Sequence, residues 1–193
     1  MGGITTLVSN SLKQFTAKVG EGIEEDKYNI VRLDHIYPLL NIINWYGEQE
    51  SKTPKEDILQ SWSRLRKEIK TIEERGEAVM FIGDMNRAVG ADDLGIKGNK
   101  TSISNGGKLI RDLMETKEFI LLNNLDIVEG GPWTWISRSD PRVRSCLDLA
   151  IISKNLMPFV SKVVIDKDRK FTPYRVLRRK TGIKSYYTDH FSF

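Results

Sequence analysis

The chain has 193 residues, of which 39% are hydrophobic and 29% are charged, and it contains one cysteine, Cys146. This composition excludes a disordered or fibrous chain, and one cysteine excludes a disulfide within the monomer. No stretch reaches the roughly 18 apolar residues of a membrane span, and the start MGGITTLVSN lacks the basic region of a signal peptide. We therefore expect one intracellular domain over 1–193, without a membrane partner.

The net charge of +4 is unevenly distributed. Residues 136–187 contain 13 Lys and Arg against 4 Asp and Glu, a local net charge of +9. Clustered basic side chains attract nucleic acid, because binding to phosphates releases counterions. Solvated lysines and arginines account for the same count, so composition leaves both interpretations open.

The first elements in chain order are strands followed by a helix. Runs rich in β-branched and aromatic residues predict strands over Ile4–Val8, Tyr28–Leu33 and Leu39–Tyr46. A helix then begins with Thr53 as N-cap, Pro54 at the first helical position and Glu56 completing a capping box. Its apolar residues recur at steps of three and four until Gly76, which predicts one face packed on a sheet.

Strands and one more helix follow. The apolar run Ala78–Ile82 predicts a strand covered on both faces. A polar loop over Gly90–Asn105 precedes a helix over about Gly107–Glu118. Further strands are predicted over Phe119–Leu122, Trp133–Ile136, Leu147–Ile152 and Val163–Ile165. Many strands with few helices indicate an α/β (α+β) sandwich of β-sheets flanked by helices.

Three short polar clusters adjoin apolar strands. They are Gly83-Asp84-Met85-Asn86, Ser145-Cys146-Leu147-Asp148 and Thr188-Asp189-His190. Each cluster alone is explained by ordinary turn residues. Strand ends, however, deliver side chains into a common crevice, so the three together predict a site.

The residue types in these clusters suit hydrolysis of a phosphate ester. That reaction needs a group that holds water, donors for the charge on the phosphate oxygens and a divalent cation. Asp84 and Asn86 supply an acceptor beside an amide donor. A charged imidazole at His190 requires a carboxylate partner, which Asp148 can provide, and Asp189 is a hard oxygen ligand suited to magnesium.

The same clusters resemble, in order and spacing, the Gly-Asp-x-Asn, Ser-x-x-Asp and Ser/Thr-Asp-His motifs of the endonuclease/exonuclease/phosphatase superfamily, the fold of DNase I. The resemblance covers essentially the whole chain and implies a four-layer sandwich of two sheets flanked by helices. The Leu147-Asp148-Leu149-Ala150 form of the second motif, the segment Phe171–Arg175 and the sequence after Thr188 resemble endonuclease domains of LINE-type retroelements.

The resemblance implies a role for each candidate residue. Asp84 orients or deprotonates the attacking water, Asn86 and Tyr46 contact the phosphate, and Asp148 fixes the imidazole of His190. His190 stabilises the pentavalent phosphorus, and Asp189 helps to hold Mg²⁺ or Mn²⁺. No other small-molecule cofactor is implied. A downstream reverse transcriptase domain is an expected neighbour, with nuclear localisation for a eukaryotic retroelement.

The chain also departs from the pattern of that superfamily. Members normally begin with further strands that carry an Asn and a metal-binding Glu, and no residue here matches either. We expect a domain truncated before its first strands and within its last one, with a weak magnesium site, an exposed sheet edge and impaired nicking activity.

Three arginines precede Asp148 in a predicted loop: Arg138, Arg142 and Arg144. We expect them to contact the DNA backbone, whereas core packing is the expectation for Trp133 and Trp135. The predicted function is metal-dependent DNA nicking. A phosphatase on the same fold and a non-catalytic remnant that binds nucleic acid are the alternatives, because a fold does not fix a substrate.

Overall fold

The computed structural model describes residues 6, 8–19, 27–34, 37–90, 103–116, 118–131, 133–137, 140, 142–165, 175–179 and 182–186. These residues contain the helices α1 (Lys55–Glu74) and α2 (Asn105–Glu115). The strands in the same residues are β1 Thr16–Val19, β2 Tyr28–Leu33, β3 Leu40–Tyr46, β4 Ala78–Asp84, β5 Phe119–Leu121, β6 Val128–Glu129, β7 Trp135–Ile136, β8 Arg144–Ser145, β9 Asp148–Ser153, β10 Val163–Val164, β11 Arg175–Arg179 and β12 Gly182–Tyr186.

Six strands form one sheet in the order β1-β2-β3-β4-β9-β5. β3 and β4 are parallel and α1 connects them, as a crossover between parallel strands requires. The other neighbouring pairs are antiparallel. The remaining described strands pair as β6 with β10, β7 with β8, and β11 with β12. The end of β3, the end of β4 and the start of β9 therefore meet at one edge of the sheet.

One face of this sheet is covered by both helices. Because successive strand residues point to opposite faces, Trp45, Phe81 and Leu149 share this face with Leu65 of α1 and Ile110 of α2. We call this cluster the helix-side core. Trp45 lies at its centre, stacked on Tyr28 at 5.6 Å and edge-on to Trp62 and Phe81 at 6.3 and 6.1 Å between ring centroids.

The opposite face carries a smaller apolar cluster. Ala78, Ala150 and Ile152 are buried there with Leu156 and Val163, and partly buried side chains such as Met80 and Ile82 pack against them. The alternation along β4 and β9 thus gives each strand an apolar side chain on both faces, which explains the continuous apolar run of Ala78–Ile82.

The mixed α/β class and most predicted elements are confirmed, with shifted ends. The predicted strands Tyr28–Leu33, Leu39–Tyr46, Ala78–Ile82 and Leu147–Ile152 correspond to β2, β3, β4 and β9. Ile4, Thr5 and Leu7 of the predicted first strand lie outside the described residues, and Thr6 and Val8 are not part of a strand. The Thr6 hydroxyl instead donates to Asn29 Oδ1 at 2.5 Å and accepts from Asn44 Nδ2 at 3.3 Å.

The predicted start of α1 is wrong by one position. Pro54 is the N-cap, with ψ 144°, and no side chain caps the helix. The amide of Thr53 donates to Gln49 O at 3.1 Å, which holds Thr53 in the preceding turn. The predicted end is confirmed: Gly76, at φ +71°, donates to Glu73 O, and Glu77 N donates to Ile72 O, which is a Schellman motif.

The second helix begins two residues earlier than predicted. Ser104 caps it, its hydroxyl accepting from Gly107 N at 3.0 Å. Gly106 and Gly107 are both buried in the first turn. No helix in the described part of the chain has the length and apolar character needed to cross a membrane.

Candidate active site

Three predicted site residues lie in one row across three neighbouring strands. Tyr46, the last residue of β3, is in register with Asp84, the last residue of β4, and Asp84 is in register with Asp148, the first residue of β9. Residues in register on adjacent strands point to the same face and stand about 5 Å apart. The row lies on the face opposite the helix-side core, and Tyr46 is 48% exposed there.

Asn86 joins the row through hydrogen bonds to Asp84. Its backbone N–H donates to Asp84 Oδ1 at 2.9 Å, and its Nδ2 donates to Asp84 Oδ2 at 3.3 Å and to Gly47 O at 2.9 Å. Asn86 adopts φ +48°, a left-handed conformation that asparagine tolerates better than most residues. The turn thus folds the Asn86 amide back over the Asp84 carboxylate, and both carboxylate oxygens are oriented by it.

Glycines allow the two site segments to approach each other. Gly47 N donates to Asp84 O at 2.7 Å, and a Cβ on Gly47 would lie 2.1 Å from Met85 O. Gly83 has φ +139°, and a Cβ there would lie 2.0 Å from Trp45 O. Larger residues at these positions would push the end of β3 away from the turn after β4.

Two side chains that sequence reasoning missed fix the start of β9. The buried Thr134 hydroxyl accepts from both Leu147 N and Asp148 N at 2.9 Å. Asn123 Nδ2 donates to Asp148 O at 3.1 Å, and Asn123 Oδ1 accepts from Ala150 N at 2.9 Å. The backbone of Asp148 is therefore held from both sides by loops that are distant in sequence.

A third missed residue, Arg87, follows Asn86 and is only 5% exposed. Its Nη1 donates to Glu48 O and to Asn86 O, the latter at 3.2 Å. Glu48 Oε2 lies 3.5 Å from Nη2, and Glu50 Oε1 lies 3.8 Å from Nε. Burial lowers the pKa of Arg87, whereas the charges of Glu50, Glu48 and Asp84 counteract this shift.

The predicted DNA-contacting arginines are only partly described. Arg138 lies outside the described residues. Arg142 is exposed and makes a two-pronged ion pair with Asp140 at 2.9 and 3.0 Å, and this hydrogen bonding raises the pKa of Arg142. The Arg144 guanidinium lies 5.9 Å from the centroid of the Trp133 ring.

The expectation of core packing for Trp133 and Trp135 is not met. Both side chains are only partly buried, and neither belongs to either apolar cluster. Trp135 is in register with Ser145 in the β7–β8 ladder, which leads through Cys146 to Asp148. This ladder therefore carries Arg144 within four residues of the row.

His190 and Asp189 lie outside the described residues, so their predicted places beside Asp148 and the metal stay predictions. Within the described part of the chain, no group of three or more His, Cys, Asp or Glu side chains is arranged to hold a metal ion. Both oxygens of Asp84 accept hydrogen bonds from Asn86. The described carboxylates therefore do not form a magnesium site by themselves.

No protein-family model and no curated protein sequence matches the chain. Solved structures do match it. A 3'-5' exonuclease from Neisseria meningitidis aligns with 91% of this chain and 67% of its own, with 16% identity and a TM-score of 0.61. An AP endonuclease from Archaeoglobus fulgidus aligns with 91% of this chain and 67% of its own, with 14% identity and a TM-score of 0.57.

The endonuclease domain of TRAS1, a telomere-specific non-LTR retrotransposon, aligns with 91% of this chain and 64% of its own, with 16% identity and a TM-score of 0.50. The chain thus spans about two thirds of the length of the chains it resembles. These similarities confirm the predicted DNase I-like fold.

Proposed function

We propose that this chain hydrolyses phosphodiester bonds in DNA as the endonuclease domain of a retroelement-like protein, nicking one strand with the impaired activity that the sequence predicts. The observation that carries the proposal is the row of Tyr46, Asp84 and Asp148, in register on three strands, with Asn86 bonded to Asp84. An acceptor, an amide and an exposed phenol converge there, as attack of water on a phosphate requires.

Each described residue has a distinct part in this reaction. Asp84, oriented by two hydrogen bonds from Asn86, accepts a proton from the attacking water. The exposed phenol of Tyr46 donates to the phosphate oxygens, which gain negative charge in the transition state. The amide of Asn86 joins it by exchanging its longer hydrogen bond, 3.3 Å to Asp84 Oδ2, for one to the phosphate. Asp148 orients the imidazole of His190, which stabilises the phosphorane.

A polymeric substrate is supported by the basic residues beside the row. Arg142 and Arg144 are exposed and precede Asp148 in the sequence, as Arg138 also does. Residues 136–187 carry a net charge of +9. Such a surface attracts a polyanion along its length, which a small phosphomonoester does not require. Two of the three similar structures are endonucleases, one of them from a non-LTR retrotransposon.

The requirement for Mg²⁺ or Mn²⁺ is part of the proposal. The cation supplies charge neutralisation at the phosphate, and Asp189 is the candidate ligand. Because the described carboxylates form no metal site of their own, the steps above are assigned to protein side chains alone. Cleavage that persists in excess EDTA would contradict this requirement. A neighbouring reverse transcriptase and nuclear localisation belong to the same proposal.

The test compares two carboxylate-to-amide variants in a plasmid-nicking assay with Mg²⁺. Asp84→Asn removes the proposed base, and we expect nicking to fall about 10²- to 10⁴-fold. Asp112→Asn makes the same chemical change at an exposed position of α2, and we expect it to nick like the unaltered chain.

The same proteins are then assayed on p-nitrophenyl phosphate and for salt-dependent binding of duplex DNA. Hydrolysis of the monoester without nicking would favour a phosphatase. DNA binding without hydrolysis of either substrate would favour a non-catalytic nucleic-acid-binding domain. Equal nicking by Asp84→Asn and Asp112→Asn would overturn the proposed site.

A further inference from the structure

Arg87 bridges the two backbone segments that carry the candidate active site. One segment runs from Tyr46 to Glu48, and the other is the turn Gly83-Asp84-Met85-Asn86. Asn86 Nδ2 donates across this gap to Gly47 O at 2.9 Å. Arg87 Nη1 donates across it to Glu48 O while also donating to Asn86 O. The successive residues Asn86 and Arg87 thus donate to the successive carbonyls of Gly47 and Glu48.

We propose that Arg87 is a positioning residue that holds Asn86 and the Tyr46–Glu48 segment in the geometry needed to contact a phosphate. This inference rests on the proposed function, because it assigns a role within the same site. Arg87 does not touch the substrate in this proposal, since its guanidinium is buried below the turn.

An arginine suits this place for geometric reasons. A guanidinium has five donors in a rigid plane, so one side chain can reach two carbonyls and two carboxylates at once. Glu48 and Glu50 flank it at 3.5 and 3.8 Å. A buried cation is tolerated only when it is paired and hydrogen-bonded, and both conditions hold here.

Arg87 is also linked to the start of α2 through Glu50. Glu50 Oε1 accepts from Gly106 N at 2.7 Å while facing Arg87. A Cβ on Gly106 would lie 1.9 Å from Arg87 Nε and 2.1 Å from its Cδ. The Arg87 side chain therefore passes directly against the helix backbone, and a larger residue at position 106 would displace it. The site turn is thus anchored to the helix-covered side of the sheet.

The backbone conformation of Asn86 depends on this anchoring. At φ +48°, Asn86 is in a region that non-glycine residues occupy only where surrounding contacts hold them. The bond from Arg87 to Asn86 O is one of these contacts. Without it, we expect the turn to relax and the Asn86 amide to leave Asp84 and Gly47, although the strands remain paired.

The experiment uses Arg87→Met, Arg87→Lys and Glu50→Gln in the full chain, with Arg75→Met as the matched control. Arg75 forms an ion pair with Glu77 at 2.9 Å, at the far end of α1. Two quantities are measured: kcat and KM for DNA cleavage, and the side-chain amide signals of Asn86 in a ¹H–¹⁵N spectrum. The signals are assigned by their loss in Asn86→Ala.

We expect Arg87→Met to shift the Asn86 signals and to lower kcat by about 10²-fold, as a small misplacement of a site group does. KM should change much less, and Arg87→Lys should recover part of kcat. Glu50→Gln should shift the signals less, and Arg75→Met should leave both measurements unchanged.

A folded Arg87→Met with unshifted Asn86 signals or unchanged kcat would overturn the proposal. If Arg87→Met does not fold, the folded Arg87→Lys decides by the same signals: a shift supports positioning, and no shift overturns it. If the unaltered chain cleaves no DNA, the proposed function fails, whereas the Asn86 signals still decide whether Arg87 positions this turn.

Discussion

Trp45 and Tyr46 are neighbours on β3, but they serve the two faces of the sheet differently. Trp45 is 4% exposed and contacts three other aromatic rings in the helix-side core. Tyr46 is 48% exposed and stands in register with Asp84. One residue step therefore separates a side chain that stabilises the fold from one that faces the candidate substrate.

The same alternation separates the two roles on β9. Asp148 belongs to the row of site residues, and the next residue, Leu149, is fully buried in the helix-side core. Rigid strands packed on one face can therefore present side chains precisely placed on the other. Stability and hydrolysis should respond to different substitutions.

The largest expected effect is that of Trp45→Ala. Removing this ring leaves a cavity among Tyr28, Trp62 and Phe81, and we expect a loss of about 3–5 kcal/mol in the free energy of unfolding, measured by urea denaturation. Tyr46→Phe removes only an exposed hydroxyl, so stability should change by less than about 0.5 kcal/mol. Nicking by Tyr46→Phe should fall about tenfold, the equivalent of one hydrogen bond. Comparable losses of stability in both variants would contradict the separate roles of the two sheet faces.

Thr134→Val comes next, because it tests how the site face is supported. The substitution keeps the shape but leaves Leu147 N and Asp148 N without the acceptor they share. Each unsatisfied buried donor costs about 1–3 kcal/mol, so we expect a loss of about 3 kcal/mol in urea unfolding. Thr134→Ser keeps the acceptor and should retain most of the stability. A Thr134→Val protein as stable as Thr134→Ser would show that these bonds contribute nothing.

Sequence patterns predicted the row but not what holds it. Asp84, Asn86 and Asp148 were found because polar residues directly follow or begin apolar strands, and strand order then brings them together. Tyr46 came from the resemblance to a known superfamily. Arg87, Thr134 and Asn123 were missed because each acts on backbone groups many residues away. No local pattern records such partners.

Some helix ends and one hairpin were also predicted wrongly or not at all, for related reasons. The start of α2 was predicted two residues late: Ser104 caps the helix, and Gly106 lies in its first turn against the side chain of Arg87. Thr53 was expected to cap α1, but the turn from Gln49 engages its amide. The hairpin of β11 and β12 was not predicted at all, because its basic residues obscure the strand pattern. Long-range packing and local turns thus set the ends of these elements, which the helix and strand propensities of the residues do not determine.

Gly76→Ala has a smaller expected effect and tests whether the end of the sheet far from Asp84 influences the candidate active site. Gly76 ends α1 at φ +71°, where an added Cβ meets no atom within 4 Å. The cost is therefore conformational only, about 1 kcal/mol in urea unfolding. Gly76→Asn should cost less, since asparagine tolerates this region. Nicking should be unchanged in both, because Asp84 lies at the opposite end of β4; a loss of nicking would show that the two ends are coupled.

Cys146 should have no effect on stability near neutral pH, and its effect should become visible only above about pH 9. Burial chiefly, and then the charge of Asp148, raise the pKa of its thiol from 9.0 to about 12. A pKa raised by folding means that the unfolded chain loses this proton first. Stability should therefore be complete below about pH 9 and fall by up to about 1.4 kcal/mol per pH unit above it. Cys146→Ala should remove this part of the slope in urea unfolding followed from pH 8 to 10.

Labelling with a thiol reagent at pH 8 gives an independent measure of the same burial. Cys146 belongs to the helix-side core although it stands two residues before Asp148, so labelling should proceed only as fast as the core opens. Trp45→Ala should accelerate it by destabilising that core, and Tyr46→Phe should not. Rapid labelling of the unaltered chain, or an identical pH slope in Cys146→Ala, would mean that solvent reaches the core beneath the site. The helix-side core would then not be closed to solvent beside Asp148, where the candidate active site lies.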